Sequence, residues 1–368
     1  MRFPEFSGEW EKCKFGDIAT GFDYGMNAAA KPFDGENKYI RITDIDEASS
    51  TYNDTDIVSP DGSLTDNYVV NDRDILLART GASTGKSYLY RNSDGKLYFA
   101  GFLIRANIYK HNSYFVFSQL HTLRYKKWIS VMSARSGQPG INSQEYASFP
   151  VYTTSLQEED KIATFLKLLD ERIITQNKII EKLQSLIKGI AQHCIKESTS
   201  GNTYVKLGDI CQITTGKLDA NAQVDNGIYP FFTCAEQPFK IDSFAFDTEA
   251  LLISGNGANL GYINYYKGKF NAYQRTYVLD LFSENIQYIK WALKVLLPKR
   301  IAIEKSSSNT PYIVLSTLTD LRLPIPCKSK QSFIANLMQS LERKLSNQIA
   351  QYDSYNYLKQ YLLRQMFI

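Results

Sequence analysis

The chain has 368 residues, of which 43% are hydrophobic and 22% charged, and its formal net charge is +4; this is the composition of a folded protein with room for two globular domains. The N-terminal segment lacks the apolar core of a signal peptide and no window approaches 18 apolar residues, so we expect a cytoplasmic protein without a membrane span. The five cysteines are far apart and the three histidines lack metal-ligand spacing, which argues against disulfides and a metal site.

In chain order, an early set of patterns recurs in the second half. Residues 10–18 (WEKCKFGDI) and 204–210 (YVKLGDI) each predict a short strand that turns at a Gly-Asp pair. The patterns that follow match in the same order: Thr20-Gly21 with Thr215-Gly216, a strand at 39–42 with one at 229–232, and a buried strand at 74–78 with one at 250–254.

Each buried strand leads into a glycine-rich segment, RTGASTGKS at 79–87 and GNGANLGY at 255–262. The first segment ends like a phosphate-binding loop, but Thr80 stands where that motif needs its first glycine, and Tyr262 takes the place of the motif's lysine in the second. The shared Gly-Ala-x-x-Gly is better explained by a tight turn between strands. Whether this turn also contacts a DNA backbone stays open.

Two segments with helical periodicity, 112–132 and 283–297, lead to polar loops at 133–142 and 305–313. Loops of Ser, Gly, Gln, Asn and Arg carry groups that bond to base edges or phosphates, although many such loops are only solvated. If the loops contact DNA, the side chains expected near base edges are Gln138, Asn142, Asn309 and Tyr312.

Residues 156–197 contain no proline, and their apolar residues recur at steps of three and four, which is the seam of a coiled coil. A helix of this length spans about 60 Å, at ~1.5 Å per residue, and one small domain cannot bury such a seam. Residues 328–368 supply a partner helix, because adding 172 to each seam position gives a second seam. The seams include Ile162, Phe165, Leu169, Gln176, Ile180 and Ile187, then Leu341, Gln348, Tyr355 and Leu362. The two glutamines either fix the alignment of the helices or lie at the seam edge.

The chain is therefore predicted to be a tandem repeat of a globular part followed by a long helix. The expected division is a domain at 1–155, a helix at 156–197, a domain at 198–327 and a helix at 328–368. Residues 198–203 (STSGNT) have the composition of a flexible linker.

The charges are unevenly distributed within each globular part. Residues 1–74 hold 7 Lys+Arg against 16 Asp+Glu, while 75–155 hold 10 against 2; residues 198–260 hold 3 against 7, while 261–327 hold 9 against 4. A basic late half is typical of a surface that faces a polyanion, with the acidic early half turned elsewhere. The alternative is a pair of solvated faces of mixed sign. The candidate DNA-binding cations are Arg79, Lys86, Arg105, Arg135, Lys267, Arg275 and Lys305.

The order of these motifs resembles the specificity (S) subunit of type I restriction-modification systems. Gly-Asp-Ile, Thr-Gly, Gly-x-x-x-Gly and Ser-x-x-Pro-x-Ile precede a long helix, and the whole series occurs twice and covers essentially the entire chain. The family's Glu-Gln at each helix start appears here as Glu158-Glu159 and Lys330-Gln331, and its proline is missing after Thr20-Gly21. The C-terminal segment 357–368 is similar to the family's helix ends.

This resemblance implies two α/β target-recognition domains in pseudo-two-fold tandem repeat, separated by two long antiparallel coiled-coil helices. Each domain would read one half of a bipartite site in double-stranded DNA. The helices would bind two modification (methyltransferase) subunits, and restriction (endonuclease and translocase) subunits would join them. The chain itself would hold no cofactor, because S-adenosylmethionine, ATP and Mg²⁺ are expected on those partner subunits.

Two other functional classes remain as alternatives. A non-catalytic coiled-coil scaffold with paired protein-binding domains would not retain DNA in a salt-dependent manner. An enzyme would need a site such as a metal cluster of Asp44, Asp46 and Glu47, but the second copy has no such set. The chain also lacks the Pro-Pro-Tyr/Phe motif of an amino-methyltransferase, which agrees with a non-catalytic specificity subunit.

Overall fold

A computed structural model of the chain describes residues 2–134, 139–199, 203–305 and 312–367. The chain divides into two compact units, the first formed by Met1–Lys178 with Ala350–Ile368 and the second by Ile179–Ile349. Each unit therefore combines one globular part with a stretch of both long helices. Within the described ranges, no helix has the length and apolar character needed to cross a membrane.

The first unit contains a four-stranded antiparallel sheet with strand order β2-β9-β6-β7. The strands of this unit are β1 (Glu11–Lys14), β2 (Ala19–Tyr24), β3 (Ala29–Pro32), β4 (Lys38–Ile40), β5 (Val58–Asp61), β6 (Asp74–Ala78), β7 (Ser87–Leu89), β8 (Leu97–Phe99), β9 (Leu103–Ile108) and β10 (Pro150–Thr153). The helices are α1 (Phe15–Ile18), α2 (Ser113–Gln119), α3 (Leu123–Met132) and α4 (Ser143–Ala147), followed by α5 (Leu156–Thr199), which continues into the second unit.

Strand β6 is buried on both faces, as its uninterrupted apolar run predicts. Ile75 and Leu77 pack into a core with the helices, whereas Leu76 and Ala78 belong to a core on the opposite face. The alternation follows from the two-residue period of a strand, which sends successive side chains to opposite faces. The sheet therefore lies between two apolar layers.

The second unit repeats this arrangement with longer strands, and its sheet has the order β12-β17-β15-β16-β13-β14. Its elements are β11 (Thr203–Lys206), β12 (Gln212–Thr215), β13 (Tyr229–Phe232), β14 (Phe239–Ile241), β15 (Phe246–Ser254), β16 (Ile263–Ala272), β17 (Thr276–Asp280), α6 (Ile286–Lys305), α7 (Leu315–Thr319), β18 (Arg322–Ile325) and α8 (Lys328–Met366). Strand β16 pairs antiparallel with β15 and parallel with β13, so it performs the roles that β7 and β8 share in the first unit.

The first and last strands of both globular parts confirm the repeat. Strand β1 pairs antiparallel with β10 from Glu11 opposite Thr153 to Lys14 opposite Pro150. Strand β11 pairs with β18 over the same number of residues, from Thr203 opposite Ile325 to Lys206 opposite Arg322. In each globular part, the first and last strands therefore form an equivalent pair, and the last strand leads into a long helix.

One predicted match is wrong, because Gly216 corresponds to Gly25 rather than to Gly21. The Gly25 amide donates to the Leu103 carbonyl, and the Gly216 amide donates to the equivalent Thr276 carbonyl. A Cβ atom would lie 2.2 Å from the Ala100 oxygen at Gly25 and 1.8 Å from the Ala272 oxygen at Gly216, so close backbone approach requires glycine at both. Strand β2 contains a bulge between Gly21 and Asp23, which displaces the register.

The long helices α5 and α8 pack in antiparallel directions within each unit. In the first unit, Asp170 of α5 lies 2.6 Å from the Lys359 ammonium of α8. In the second unit, Ile187 of α5 shares a core with Ile334 of α8. The predicted seam positions Ile162, Leu169, Gln176, Ile180, Ile187, Leu341, Gln348, Tyr355 and Leu362 are all buried or half-buried. Phe165 does not belong to the buried stripe: it is 39% exposed and packs against Phe3, while Leu166 is buried.

Candidate nucleic-acid interface

The glycine-rich segments form the same tight turn in both units, which confirms the turn interpretation. Gly81 and Gly85 have φ angles of +71° and +92°, and Gly257 and Gly261 have +79° and +82°. In the first unit the Thr84 amide donates to the Gly81 carbonyl, and the Leu260 amide donates to the Gly257 carbonyl in the second. Glycine is favoured because L side chains rarely adopt this left-handed backbone.

A backbone junction beside this turn also recurs. In the first unit the Arg79 amide donates to the Phe102 carbonyl, and the Ile141 amide donates to the Arg79 carbonyl. In the second unit the Gly255 amide donates to the Arg275 carbonyl, and the Ile313 amide donates to the Gly255 carbonyl. The junction therefore joins the end of β6 or β15, the turn before β9 or β17, and the last residues of the predicted polar loop.

The side chain of Arg79 is held against an aromatic ring in the first unit. Its guanidinium carbon lies 4.8 Å from the centre of the Tyr24 ring, which is a cation–π contact. The Ser143 amide donates to the Tyr24 hydroxyl over 3.2 Å. The hydrogen bonds from Ser143 and, less strongly, the Arg79 charge lower the pKa of Tyr24. The Arg79 Nε is buried and has no hydrogen-bond partner within the described residues.

A cleft of about 650 Å³ opens beside this pair. It is lined by Tyr24, Asn27, Thr43, Arg79 and Phe102, among others. Phe102 is 60% exposed and Tyr24 is 41% exposed. An accessible cleft with a cation, two aromatic rings and polar groups has the composition of a nucleic-acid contact surface.

Three of the predicted DNA-binding cations are paired with carboxylates. Lys86 Nζ lies 3.3 Å from Glu47 Oε2, Arg105 Nη2 lies 3.0 Å from Asp23 Oδ2, and Lys267 Nζ lies 3.6 Å from Glu249 Oε2. These carboxylates come from the acid-rich early segments, so the expectation that the acidic half turns elsewhere is wrong at these positions. The Arg105–Asp23 and Lys267–Glu249 pairs follow from the sheets, because β9 lies beside β2 and β16 lies beside β15. Glu47 and Lys86 lie outside the strands, and the folding of their loops brings them together.

Arg79 and Arg275 differ from those three cations. Arg275 is exposed on the turn between β16 and β17. Neither arginine forms an ion pair with a carboxylate in the described parts of the chain. Their charge is therefore available to an external anion or base.

The remaining predicted residues fall into two groups. Asn142 caps α4, since its side-chain oxygen accepts a hydrogen bond from the Glu145 amide over 2.9 Å. Tyr312 is 55% exposed next to the second junction. Arg135, Gln138 and Asn309 lie outside the described residues, as does the side chain of Lys305.

The three acidic residues considered as a metal cluster have other partners. Asp44 receives two hydrogen bonds from the Arg41 guanidinium, at 2.9 and 2.7 Å. Asp46 accepts from the Ser49 hydroxyl at 2.7 Å, and Glu47 pairs with Lys86. Across the described residues, no group of three or more His, Cys, Asp or Glu side chains could hold a metal ion.

Tyr24 and Phe102 were not predicted as site residues. Each is a large aromatic residue next to a glycine: Tyr24 ends β2 before Gly25, and Phe102 follows Gly101 in the turn before β9. An aromatic residue at such a place can pack inward or remain exposed, and the sequence does not distinguish the two. The erroneous match of Thr215-Gly216 with Thr20-Gly21 also hid the position of Tyr24.

Comparison with known proteins gives a consistent result. The family described as type I restriction modification DNA specificity domain matches residues 7–185 and 199–352. The type I restriction enzyme EcoDI specificity subunit of Escherichia coli is 44% identical over 137 residues. That match includes 37% of this chain and 30% of the relative, so the aligned stretch spans less than a third of the relative's length.

Two solved structures share the fold. The type I restriction-modification S subunit from M. genitalium superposes with a TM-score of 0.70 at 17% identity, over 98% of this chain and 96% of the other. A chain from a structural study of complex assembly and conformational transition in the type I R-M system gives a TM-score of 0.56 at 16% identity, over 97% of both chains. At such low identity, these likenesses concern the fold alone.

Proposed function

The chain belongs to the type I restriction-modification DNA specificity family, and we propose on this premise that each of its globular parts reads one half of a bipartite site in double-stranded DNA. As a specificity subunit it is the non-catalytic member of a larger complex. The proposed recognition domains are residues 1–155 and 198–327. Its proposed place of action is the cytoplasm, where the DNA target of such a complex would lie.

The long helices at 156–197 and 328–368 are the proposed binding surface for two modification subunits, and restriction subunits complete the complex. These partners would carry S-adenosylmethionine, ATP and Mg²⁺. Exposed apolar side chains on the helices support this role, because Leu168, Leu186 and Tyr357 are left outside the buried seam. The chain would thus select the site on which its partners act.

The observation that carries the proposal is the recurrence of the junction in both units. The same backbone hydrogen bonds bring an unpaired arginine and a polar loop together twice, although the surrounding side chains differ. Two equivalent frameworks with different exposed groups are what the reading of two different half-sites requires. A protein-binding scaffold would not need an unpaired cation at both junctions.

Co-expression with a candidate modification subunit tests this function. We expect a genome-wide map of methylated adenines to show one motif with two defined halves and an unspecified spacer between them. Omission of the chain is the control, and it should abolish methylation. Methylation that does not require the chain, or a single uninterrupted motif, would contradict the proposal.

A further inference from the structure

We infer that Arg79 in the first unit and Arg275 in the second each read a guanine base, one in each half of the DNA site. This inference rests on the proposed DNA-reading function and names the residues that determine specificity within it. It is supported by the availability of the two charges, by their equivalent placement and by the geometry around Arg79.

These two arginines differ from three of the other predicted cations because they have no carboxylate partner within the described chain. Lys86, Arg105 and Lys267 already lie within 3.6 Å of a carboxylate. A cation paired in this way must break its contact before it binds DNA, whereas Arg79 and Arg275 have no carboxylate to leave within the described chain. They are therefore the better candidates for a direct contact.

Each arginine lies at the junction of its own unit, but the two are attached to different backbone positions of that junction. Because the Arg79 amide bonds to the Phe102 carbonyl and the Gly255 amide bonds to the Arg275 carbonyl, position 79 corresponds to 255 and position 102 to 275. The first unit thus has arginine then phenylalanine, and the second has glycine then arginine. A Cβ atom on Gly255 would lie 2.5 Å from the Arg275 carbonyl oxygen, so a side chain is excluded there. The second unit supplies its arginine from the turn before the neighbouring strand β17 instead.

The surroundings of Arg79 favour recognition of a planar acceptor pair. Contact with the Tyr24 ring restricts the guanidinium plane, and the hydrogen bond from Ser143 holds the tyrosine hydroxyl. The Arg79 Nε is buried and has no hydrogen-bond partner within the described chain, so a base in the cleft would contact the Nη nitrogens at the end of the guanidinium. The O6 and N7 atoms of guanine form the acceptor pair that the guanidinium fork matches, and this is the commonest specific contact in the major groove.

A contact to phosphate is the competing explanation, and exchange of arginine for lysine distinguishes the two. Lysine keeps the positive charge and binds phosphate as a point charge, but it lacks the planar fork and the stacking on tyrosine. Arg79→Lys should therefore preserve a phosphate contact and weaken a guanine contact.

The experiment uses the full chain co-expressed with its modification subunit, with methylated adenines mapped for each variant. We expect a G·C pair in both half-sites of the wild type. Arg79→Lys should reduce discrimination at one G·C pair of one half-site by about tenfold, and Arg275→Lys should do the same in the other half-site only. Arg91→Lys and Arg322→Lys, which lie away from the junctions, are the matched controls and should leave both half-sites unchanged.

Several results would overturn the inference. A wild-type half-site without a G·C pair would do so, as would weaker methylation of every site with an unchanged motif, which indicates a phosphate contact. If the Arg79→Lys complex does not assemble, Tyr24→Leu removes the ring and keeps the arginine; relaxation of the same base pair supports the inference and unchanged discrimination refutes it. Absence of any bipartite motif in the wild type would instead refute the proposed function itself.

Discussion

The two units share a backbone and differ in the side chains attached to it. Both have a turn with two glycines at positive φ, and both have a junction closed by the same pair of amide-to-carbonyl hydrogen bonds. On this framework, Arg79 and Phe102 in the first unit are replaced by Gly255 and Arg275 in the second. The hydrogen bonds and the glycines therefore recur in both units, while the side chains at the junction vary, as they would on two surfaces that recognise different DNA sequences.

A second difference between the units lies at the start of the long helices, where a carboxylate occupies different positions in the two units. In the first unit the buried Glu159 accepts hydrogen bonds from His111 Nδ1 and the Asn112 amide, at 2.9 and 2.8 Å. In the second unit the equivalent Gln331 accepts from the Asn285 amide at 3.0 Å and donates to Glu284 at 2.6 Å. The carboxylate lies on the long helix α5 in the first unit, and on the loop before α6 in the second.

The largest expected effect comes from placing a carboxylate on both sides of this contact. Gln331→Glu would place a buried carboxylate beside the half-buried Glu284 and leave Lys328 as the donor to Glu284. This change should destabilise the second unit by about 3–5 kcal/mol at neutral pH. The mirror change Glu159→Gln keeps one acceptor and should cost only about 1 kcal/mol in the first unit. Hydrogen-exchange mass spectrometry of peptides from each unit measures both.

The same experiment includes an internal control. Adding Glu284→Gln to Gln331→Glu restores a donor opposite the carboxylate, so part of the lost stability should return. Without this second change, the destabilisation should shrink below about pH 4.5, where carboxylates take up protons. A Gln331→Glu chain as stable as the wild type would show that the contact does not hold the helix start.

The glycine equivalence gives the next largest effect. Gly25→Ala and Gly216→Ala both force a Cβ atom against a backbone carbonyl, and each should destabilise its unit by about 2–3 kcal/mol. At Gly21 the Cβ atom of an alanine would meet nothing closer than the Asp23 carboxylate at 3.0 Å, so Gly21→Ala should cost about 1 kcal/mol, from its φ of +94°. Chemical denaturation compares the three variants. A larger cost at Gly21 than at Gly25 would restore the original match of Thr20-Gly21 with Thr215-Gly216.

Acidification should destabilise the first unit through His121, whose pKa is lowered in the folded chain. Burial, together with the nearby charge of Lys359, lowers the pKa of His121 to about 4, and Ser50 Oγ lies 3.0 Å from its Nε2. A histidine with a lowered pKa stabilises the fold above its unfolded pKa of 6.5, and this contribution disappears as pH falls towards 4.

The first unit should therefore lose roughly 1–3 kcal/mol of stability between pH 6.5 and 4. His121→Gln should remove most of this loss. Hydrogen exchange at pH 6.5 and near pH 4.5 measures the difference, and equal losses in wild type and variant would exclude His121 as the cause.

The smallest expected effect concerns the cation–carboxylate pairs. Glu47→Gln releases Lys86 and should strengthen DNA binding of the assembled complex by roughly two- to fivefold, with a steeper dependence on salt. Glu249→Gln should do less, because the Lys267 contact is longer and more exposed. Glu36→Gln, which removes an exposed carboxylate with no ion pair in the described chain, is the matched control. Equal effects from all three in fluorescence anisotropy titrations would mean that only total charge matters.

Periodic and local features could be predicted from the sequence. The tandem repeat, the paired helices and the glycine turn all follow from spacings within a few residues, because backbone preferences and burial act locally. The match of Gly25 with Gly216 could not be predicted from the sequence, since the bulge in β2 shifts the register without a clear sequence signal. Charge pairing also failed, because Glu47 and Lys86 are brought together only by the folded chain.

The same limit applies to the candidate site. Arg79 and Arg275 were predicted from composition as two among seven cations, and composition cannot show which of them lack a carboxylate partner. Tyr24 and Phe102 can be recognised as residues of the candidate site only in the folded chain, where the turn before β9 lies beside the end of β6. Tertiary contacts between distant segments therefore determine which predicted residues are available to DNA.

We propose that each globular part determines the sequence of one half-site by itself, and that one part can be exchanged for the other. Because β1 pairs with β10 in the same manner as β11 pairs with β18, residues 203–325 can be replaced by a second copy of residues 11–153. The most direct measurement is the methylation map of this chimaera, co-expressed with the modification subunit. We expect a bipartite motif whose two halves are an inverted repeat of the first half-site. A motif that retains the second half-site after residues 203–325 are replaced would contradict it.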